Sequence, residues 1–383
     1  MKRILSFVAF LLVFAMLTSA CGNANQNTET TPIDGIPEAT TPEQTTPEVT
    51  TPEQTTPEQT TPEQTTPEQP VELAPACEHV FTRRIVLEQV TTVADGKIAN
   101  VCGNCGGWQE EILPAVKSLK ILAIGNSFSD NALKYLPRLA KELGIEEIIV
   151  GKLYVGSCSI DKHWSYSQTN ASYTRFDLNL GEGWVSQSSK TFIHALTLYD
   201  WDIITMQQVS ALSGMPDSLG NLQNLIDFVN VKKTNPNAKL YWHMTWAYSQ
   251  FSNHSGFANY NNDQETMYNA IVDLALNSIL PNPNFAGVIP AGTAVQNYRG
   301  ALASNSVFES GNITVDGYHL NTYAEVLASL TWLRTLTGLD LDAITCTSHS
   351  ELMFVSKFQL KSLRQAANDA YLNPYVLNPL WAG

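Results

Sequence analysis

From residue 118 onward, short apolar runs alternate with longer helical patterns, and this alternation constrains the fold of the 383-residue chain more than any other feature. Leu119-Lys120-Ile121-Leu122-Ala123-Ile124 reads as a buried strand, with a helix predicted over residues 131–143. Further strands are predicted at 148–155, 202–206, 239–245 and 287–290, with helices over 219–230, 263–279, 322–336 and 351–371. Strands that alternate with helices predict an α/β domain over 118–383 whose parallel sheet is covered on both faces. Residues 157–199 are too long for a simple connection. They are read as an insertion over the site, ending in a helix near 192–198.

The segment ahead of that domain obeys different rules. Residues 22–74 are almost all Thr, Pro, Glu and Gln, and Pro recurs every five residues from Pro42 to Pro67. Such a tract has nothing apolar to offset the entropy of ordering, so it is predicted to be a disordered, extended spacer. At roughly 3.1 Å per residue it reaches on the order of 150 Å. Ten acidic and no basic residues fall between 22 and 76, so of the formal charge of −14 only −4 belongs to the rest. The body is mildly acidic and offers no basic patch, which excludes a nucleic-acid partner.

Residues 1–21 read as an export signal: Lys2 and Arg3, an apolar stretch too short to span a bilayer, then Thr18-Ser19-Ala20-Cys21. This end resembles a bacterial lipobox, with Leu17 one place further from the cysteine than usual. The resemblance implies lipidation at Cys21 and a membrane contact through that anchor alone, at the outer face of a bacterial membrane.

Residues 75–115 form a small cysteine-rich module. Cys77-Glu78-His79 precedes Cys102-Gly103-Asn104-Cys105 and supplies four nitrogen or sulfur ligands, the number tetrahedral zinc requires. About 40 residues are too few to fold on a core of their own. A Cys102–Cys105 disulfide with Cys77 unpaired is the alternative in an oxidising exterior. With all four ligands engaged, a zinc ion here is structural. The module resembles zinc-ribbon-like modules of exported bacterial proteins. Cys158 and Cys346 are read as separate small buried residues.

The chemistry centres on Gly125-Asn126-Ser127-Phe128-Ser129, directly after the first predicted strand. That is the carboxyl edge of an open sheet, where such folds bind ligands, and helix N–H groups there favour negative charge. A serine at that position is also a common N-cap. What changes the reading is Asp316-Gly317-Tyr318-His319-Leu320. A serine nucleophile needs a base, and the base needs a partner that fixes its tautomer. Asp three residues before His can hold Nδ1 and leave Nε2 free for a serine.

On these residues, 118–340 resemble the SGNH or GDSL hydrolase superfamily, in a branch marked by Gly-Asn-Ser-Phe-Ser and Asp-Gly-Tyr-His-Leu. The resemblance implies a three-layer α/β/α, flavodoxin-like fold and a serine hydrolase acting on esters, with Ser127, His319 and Asp316 catalytic and no catalytic cofactor. It assigns Gly156 to the oxyanion hole, and has Asn126 where Asp is more usual. The third block departs: Met206-Gln207-Gln208 stands where Gly-x-Asn-Asp is expected, so Gln208, or else Gln207, is expected to supply the missing donor.

Trp164, Trp246 and Asn297, with His163, Tyr248, Gln296 and Arg299, are predicted around the mouth, where flat rings and amides suit carbohydrate. The expected substrate is an ester-bearing small molecule or an acetylated glycan. An acyltransferase using the same triad and a non-catalytic carbohydrate-binding surface protein remain the two rival readings.

Overall fold

The computed structural model describes residues 71–72, 77–303, 313–347 and 350–378. The signal, Cys21 and the five-residue repeat lie outside the described residues. The described residues form two sheets. The smaller is built from β1 (Val71–Glu72), β2 (Phe81–Glu88), β3 (Gly96–Cys102) and β4 (Gly107–Leu113), in the order β1-β4-β3-β2. The larger contains β5 (Ser118–Gly125), β6 (Glu147–Tyr154), β7 (Arg175–Asn179), β8 (Trp184–Gln187), β9 (Ile203–Met206), β10 (Lys239–His243) and β11 (Phe285–Ile289). The helices are α1 (Ser127–Leu133), α2 (Leu136–Glu142), α3 (Ile160–Thr169), α4 (Phe192–Thr197), α5 (Leu222–Lys232), α6 (Gln264–Leu274), α7 (Ala291–Ala303), α8 (Thr322–Thr337) and α9 (Lys357–Leu372).

The large sheet runs β11-β10-β9-β5-β6-β7-β8. Its first five members are parallel and its last two antiparallel. Numbered by appearance, the parallel strands lie in the order 2-1-3-4-5, a doubly wound arrangement whose switch point falls between β5 and β9. Chain direction therefore brings the ends of β5, β6, β9 and β10 to one edge. The strands are buried on both sides, as a parallel sheet under helices requires: Ile121, Leu122, Ala123 and Ile124 of β5 are fully enclosed. The helices fall into two packed groups, α3 with α4 and α5, and α7, α8 and α9 with α1 and α2, compatible with a three-layer α/β/α arrangement.

Three sequence expectations change. The helix expected over 131–143 is two helices, because Pro137 near the start of α2 cannot continue an existing turn. The insertion at 157–199 is not simply a cover over the site: β7 and β8 form a hairpin that extends the sheet beyond β6. The cysteine-rich sheet belongs to the same compact unit as the large one. Arg84 donates to the Tyr371 carbonyl at 2.8 Å, and Gln89 to that of Gly338 at 2.7 Å.

A charged cluster fastens the hairpin. Lys152 of β6 bonds Asp130 of α1 and lies 3.8 Å from Asp177 of β7; Arg175 reaches Asp130 at 2.5 Å and Asp177 at 2.6 Å. The Lys152 ammonium also sits 3.7 Å above the Trp184 ring of β8. Lys152 and Asp177 are both buried, so removing the ammonium leaves two carboxylates, one of them enclosed, to share Arg175 alone. Lys152→Ala should lower unfolding free energy by about 3 kcal/mol in urea denaturation. Lys141→Ala, which breaks a pair with the almost fully exposed Glu182, should cost under about 1 kcal/mol. Equal losses for the two variants would contradict the burial argument.

Candidate active site

The loop after β5 turns straight into α1, and Asn126 makes that turn: its Oδ1 accepts the Phe128 N–H at 3.0 Å. Asn126, not Ser127, is therefore the N-cap. Ser127 becomes the first helical residue, so its side chain is free for other work and its N–H has no intrahelical acceptor.

That side chain meets His319: Nε2 lies 2.8 Å from Ser127 Oγ, and Nδ1 lies 2.6 Å from Asp316 Oδ2. Asp316 does not cap α8, a role held by Asn321. Its Oδ1 instead accepts the backbone N–H groups of His319 at 2.7 Å and Tyr318 at 3.1 Å. One carboxylate thus shapes the turn and holds the imidazole. Partial burial alone would raise the Asp316 pKa, but the His319 backbone N–H, its imidazole and the Tyr318 N–H together hold it below the usual carboxylate range. Asp316 stays ionised at neutral pH and fixes the proton of His319 on Nδ1.

The turn is clamped from several sides. Leu320 N–H donates to Asn131 Oδ1 at 3.1 Å, and Trp246 Nε1 donates to the Tyr318 carbonyl at 2.8 Å. Ser249 N–H bonds the Gly317 carbonyl at 2.7 Å. Trp246 stacks on Phe128 with ring centroids 4.4 Å apart, joining the two halves of the triad from beneath. Gly317 has φ +91°, and a Cβ there would lie 3.0 Å from Ser252 Cα.

Other expected site residues are engaged differently. Both N–H bonds of each glutamine amide are spent: Gln207 Nε2 donates to Asn126 Oδ1 at 2.8 Å and toward the Gln208 carbonyl at 3.5 Å. Gln208 Nε2 donates to the Ser218 carbonyl at 2.8 Å and hydroxyl at 3.0 Å. Neither is positioned as a free oxyanion donor. Trp246 is fully buried and Asn297 is 1% exposed, so neither lines a mouth; Tyr248 and Arg299 are buried too, and His163 is enclosed with Nδ1 2.8 Å from the Tyr173 hydroxyl. Gln296 Nε2 bonds Gln264 at 3.2 Å, inside the fold. Trp164 of α3 is half-buried. Gly156 follows β6 at the same edge as Ser127 and is exposed.

Besides the buried Phe128, 5.9 Å away, His319 is flanked by Tyr318, at 4.4 Å between centroids, and beyond it by His254, 4.8 Å from Tyr318; the last two are half-buried. Burial, with the neighbouring His319 adding to it, lowers the His254 pKa. Its Nδ1 accepts the Gly256 N–H at 3.0 Å. His254 carried no motif in the sequence and was missed.

A second cluster lies in the small sheet. The ligand atoms of Cys77, His79, Cys102 and Cys105 all fall within 4.8 Å of one another, and together they could hold a metal ion. Cys77 Sγ and Cys102 Sγ are 3.8 Å apart, and Cys105 Sγ is 3.6 Å from His79 Nδ1. The Asn104 and Gly107 N–H groups point at Cys102 and Cys105 sulfur, each at 3.4 Å. Cys77, Cys102, Cys105, Cys158 and Cys346 are all free thiols, and Cys102, Cys158 and Cys346 are buried.

The model of one protein family, the domain of unknown function DUF4886, matches residues 120–357. Among solved structures, the crystal structure of a DUF4886 family protein from Bacteroides uniformis is similar to the chain at 33% identity and a TM-score of 0.62. The match covers 69% of this chain and 98% of that one. No curated protein matches.

Because Gly317 combines a positive φ with close packing, Gly317→Ala should destabilise the turn by about 1–3 kcal/mol and tilt His319 away from Ser127. Thermal unfolding together with the reaction rate of Ser127 toward a fluorophosphonate measures both effects. A variant that keeps both at wild-type values would show that the turn tolerates a Cβ.

Proposed function

The chain belongs to the DUF4886 family, and from that premise we propose that it is a serine esterase built on the SGNH plan. One observation carries the reading: the unbroken relay from Asp316 through His319 to Ser127, at 2.6 and 2.8 Å. Its motifs lie at opposite ends of the domain, so their meeting is not a consequence of local sequence. The 2-1-3-4-5 strand order, with the serine at the switch point, supports the SGNH-type fold.

The chemistry follows from the protonation states. Asp316 accepts the Nδ1 proton of His319, leaving Nε2 with its lone pair toward Ser127. As Ser127 Oγ attacks the ester carbonyl, its proton moves to Nε2, and the carbonyl electrons collect on oxygen. The N–H of Ser127, unpaired at the helix start, and that of Gly156 are the donors for that oxyanion. The C–O bond to the alcohol then breaks, and Nε2 returns the proton to the departing oxygen. Water, deprotonated by the same imidazole, releases the acid and restores Ser127.

The substrate read from this site is an acetyl or similarly small acyl ester on carbohydrate. Half-exposed Tyr318 and His254 beside His319 support that choice, on the side where the alcohol departs. A lipid anchor at Cys21, followed by the five-residue repeat, would set the enzyme at a bacterial cell surface. Among the described residues no helix is long and apolar enough to cross a membrane.

Zinc is the proposed occupant of the cysteine cluster. A tetrahedral ion with Zn–S bonds of about 2.3 Å and a Zn–N bond near 2.05 Å spaces two sulfurs by about 3.8 Å and a sulfur–nitrogen pair by about 3.6 Å. The Cys77–Cys102 and Cys105–His79 spacings are 3.8 and 3.6 Å. Four protein ligands leave no place for a reactive water, so the ion would hold the small sheet together.

Ser127→Ala should abolish acetate release from acetylated glycans, and Asp316→Asn should lower kcat by about 10⁴-fold, as loss of the tautomer-fixing group does. Turnover of Ser127→Ala at the wild-type rate would sink the assignment. Cys102→Ser should lose stoichiometric zinc by elemental analysis and lower the melting temperature. Wild-type protein purified with zinc in excess yet carrying none would overturn the metal reading.

A further inference from the structure

The hydrogen bonds beneath Ser127 fix one another's direction. Phe128 N–H donates to Asn126 at 3.0 Å, so the Asn126 atom it meets is the oxygen. Gln207, 2.8 Å from that same oxygen, must turn its NH₂ toward it. The Gln207 oxygen then faces the other way, where it takes the Ser129 hydroxyl and lies 2.9 Å from His243 Nδ1. His243 therefore carries its proton on Nδ1, and burial pushes its pKa down to about 3, so it is neutral. The remaining amide group, Asn126 Nδ2, donates to the Cys158 carbonyl at 3.1 Å. Asn126 is thus held by three elements: its own loop after β5, the 156–158 loop after β6, and Gln207 directly after β9.

Both oxyanion donors of the proposed mechanism ride on loops that Asn126 joins: Ser127 is its neighbour, and Gly156 lies two residues before Cys158. No free space allows drift, because a Cβ on Gly125 would lie 2.2 Å from Ser129 Oγ and 3.0 Å from Gln207 Oε1. We infer that Gln207 is a positioning residue for the oxyanion hole, acting through Asn126 to hold the Ser127 and Gly156 N–H groups at a fixed spacing. The inference rests on the esterase reading and deepens it. Gln207 touches no substrate. It occupies the strand end where an oxyanion amide was expected, and works one layer lower.

The test uses the full chain, with a chromogenic acetate ester, a fluorophosphonate and an alkylboronic acid that mimics the tetrahedral state. Gln207→Met keeps volume and removes the bond to Asn126. Asn126→Asp keeps the Phe128 cap but has no N–H for Cys158, and serves as the second route if the first variant folds poorly. Each should lower kcat by roughly 10- to 100-fold with KM within about twofold, since small displacements of aligned groups act on the transition state. Boronate affinity should fall by the same factor, and the acid limb of the kcat/KM profile should not move, because the His319–Asp316 bond is untouched. A lower melting temperature with kcat and boronate affinity unchanged in both variants would reduce Gln207 to a packing role and overturn the inference. Wild-type protein that neither turns over the ester nor takes up fluorophosphonate would overturn the esterase reading, and this inference with it.

Discussion

Everything at the site depends on β5 being paired in parallel on both sides, with β6 on one flank and β9 on the other. The register Gly125↔Tyr154 and Ile124↔Met206 ends the three strands at nearly the same height. Their following residues, Asn126, Val155-Gly156 and Gln207, therefore leave the sheet together. A one-residue slip would invert every side chain on a strand, and because Ile121 to Ile124 and Ile203 to Met206 are packed on both faces it would force both helix layers to repack at once. The apolar core thus acts at a distance: it fixes where three loops start, and the loops' amides do the rest.

The turn that carries His319 is assembled by quite different means. His319 sits on no strand; its turn is shaped by one carboxylate and held by Trp246, Asn131 and Ser249. Asn131 in turn donates to the buried Glu325 at 3.0 Å, a residue Lys134 also bonds. Burial raises the Glu325 pKa, with the Lys134 ammonium and the Asn131 amide opposing it. So α1, which begins with Ser127, also carries the groups that dock the His319 turn, and moving α1 would move both together.

These two modes of assembly explain what the sequence disclosed. The local geometry around Ser127, Asp316 and His319 was legible because each short motif encodes it: a strand running into a helix start, and an Asp whose side chain caps two N–H groups of its own turn. The parallel sheet was legible from unbroken apolar runs. Gln207 and Gln208 were not, because an amide serves equally as an exposed donor or as an interior connector, and only its neighbours decide. Trp246 and Asn297 failed for the related reason that a residue after a strand can point inward or outward, and residue type does not say which. The β7–β8 hairpin was hidden because Arg175 and Asp177 look like loop residues until Lys152 and Asp130 are seen to neutralise them.

The interior beneath Ser127 is built from buried polar groups as well as apolar ones. His243 Nε2, Thr205 Oγ1 and Thr245 Oγ1 are buried without partners among the described residues, and Gln207 and Asn126 are almost fully enclosed. Each unmet polar group costs on the order of 1–3 kcal/mol, and apolar side chains of similar volume would fill the space more stably. Polar networks that meet in one arrangement give the loops above them a unique geometry that an apolar core does not specify. The same network explains why residue 126 is Asn: an Asp could accept from Phe128 and Gln207, but only Asn can also donate to the Cys158 carbonyl and tie the loop after β6 to the loop after β5.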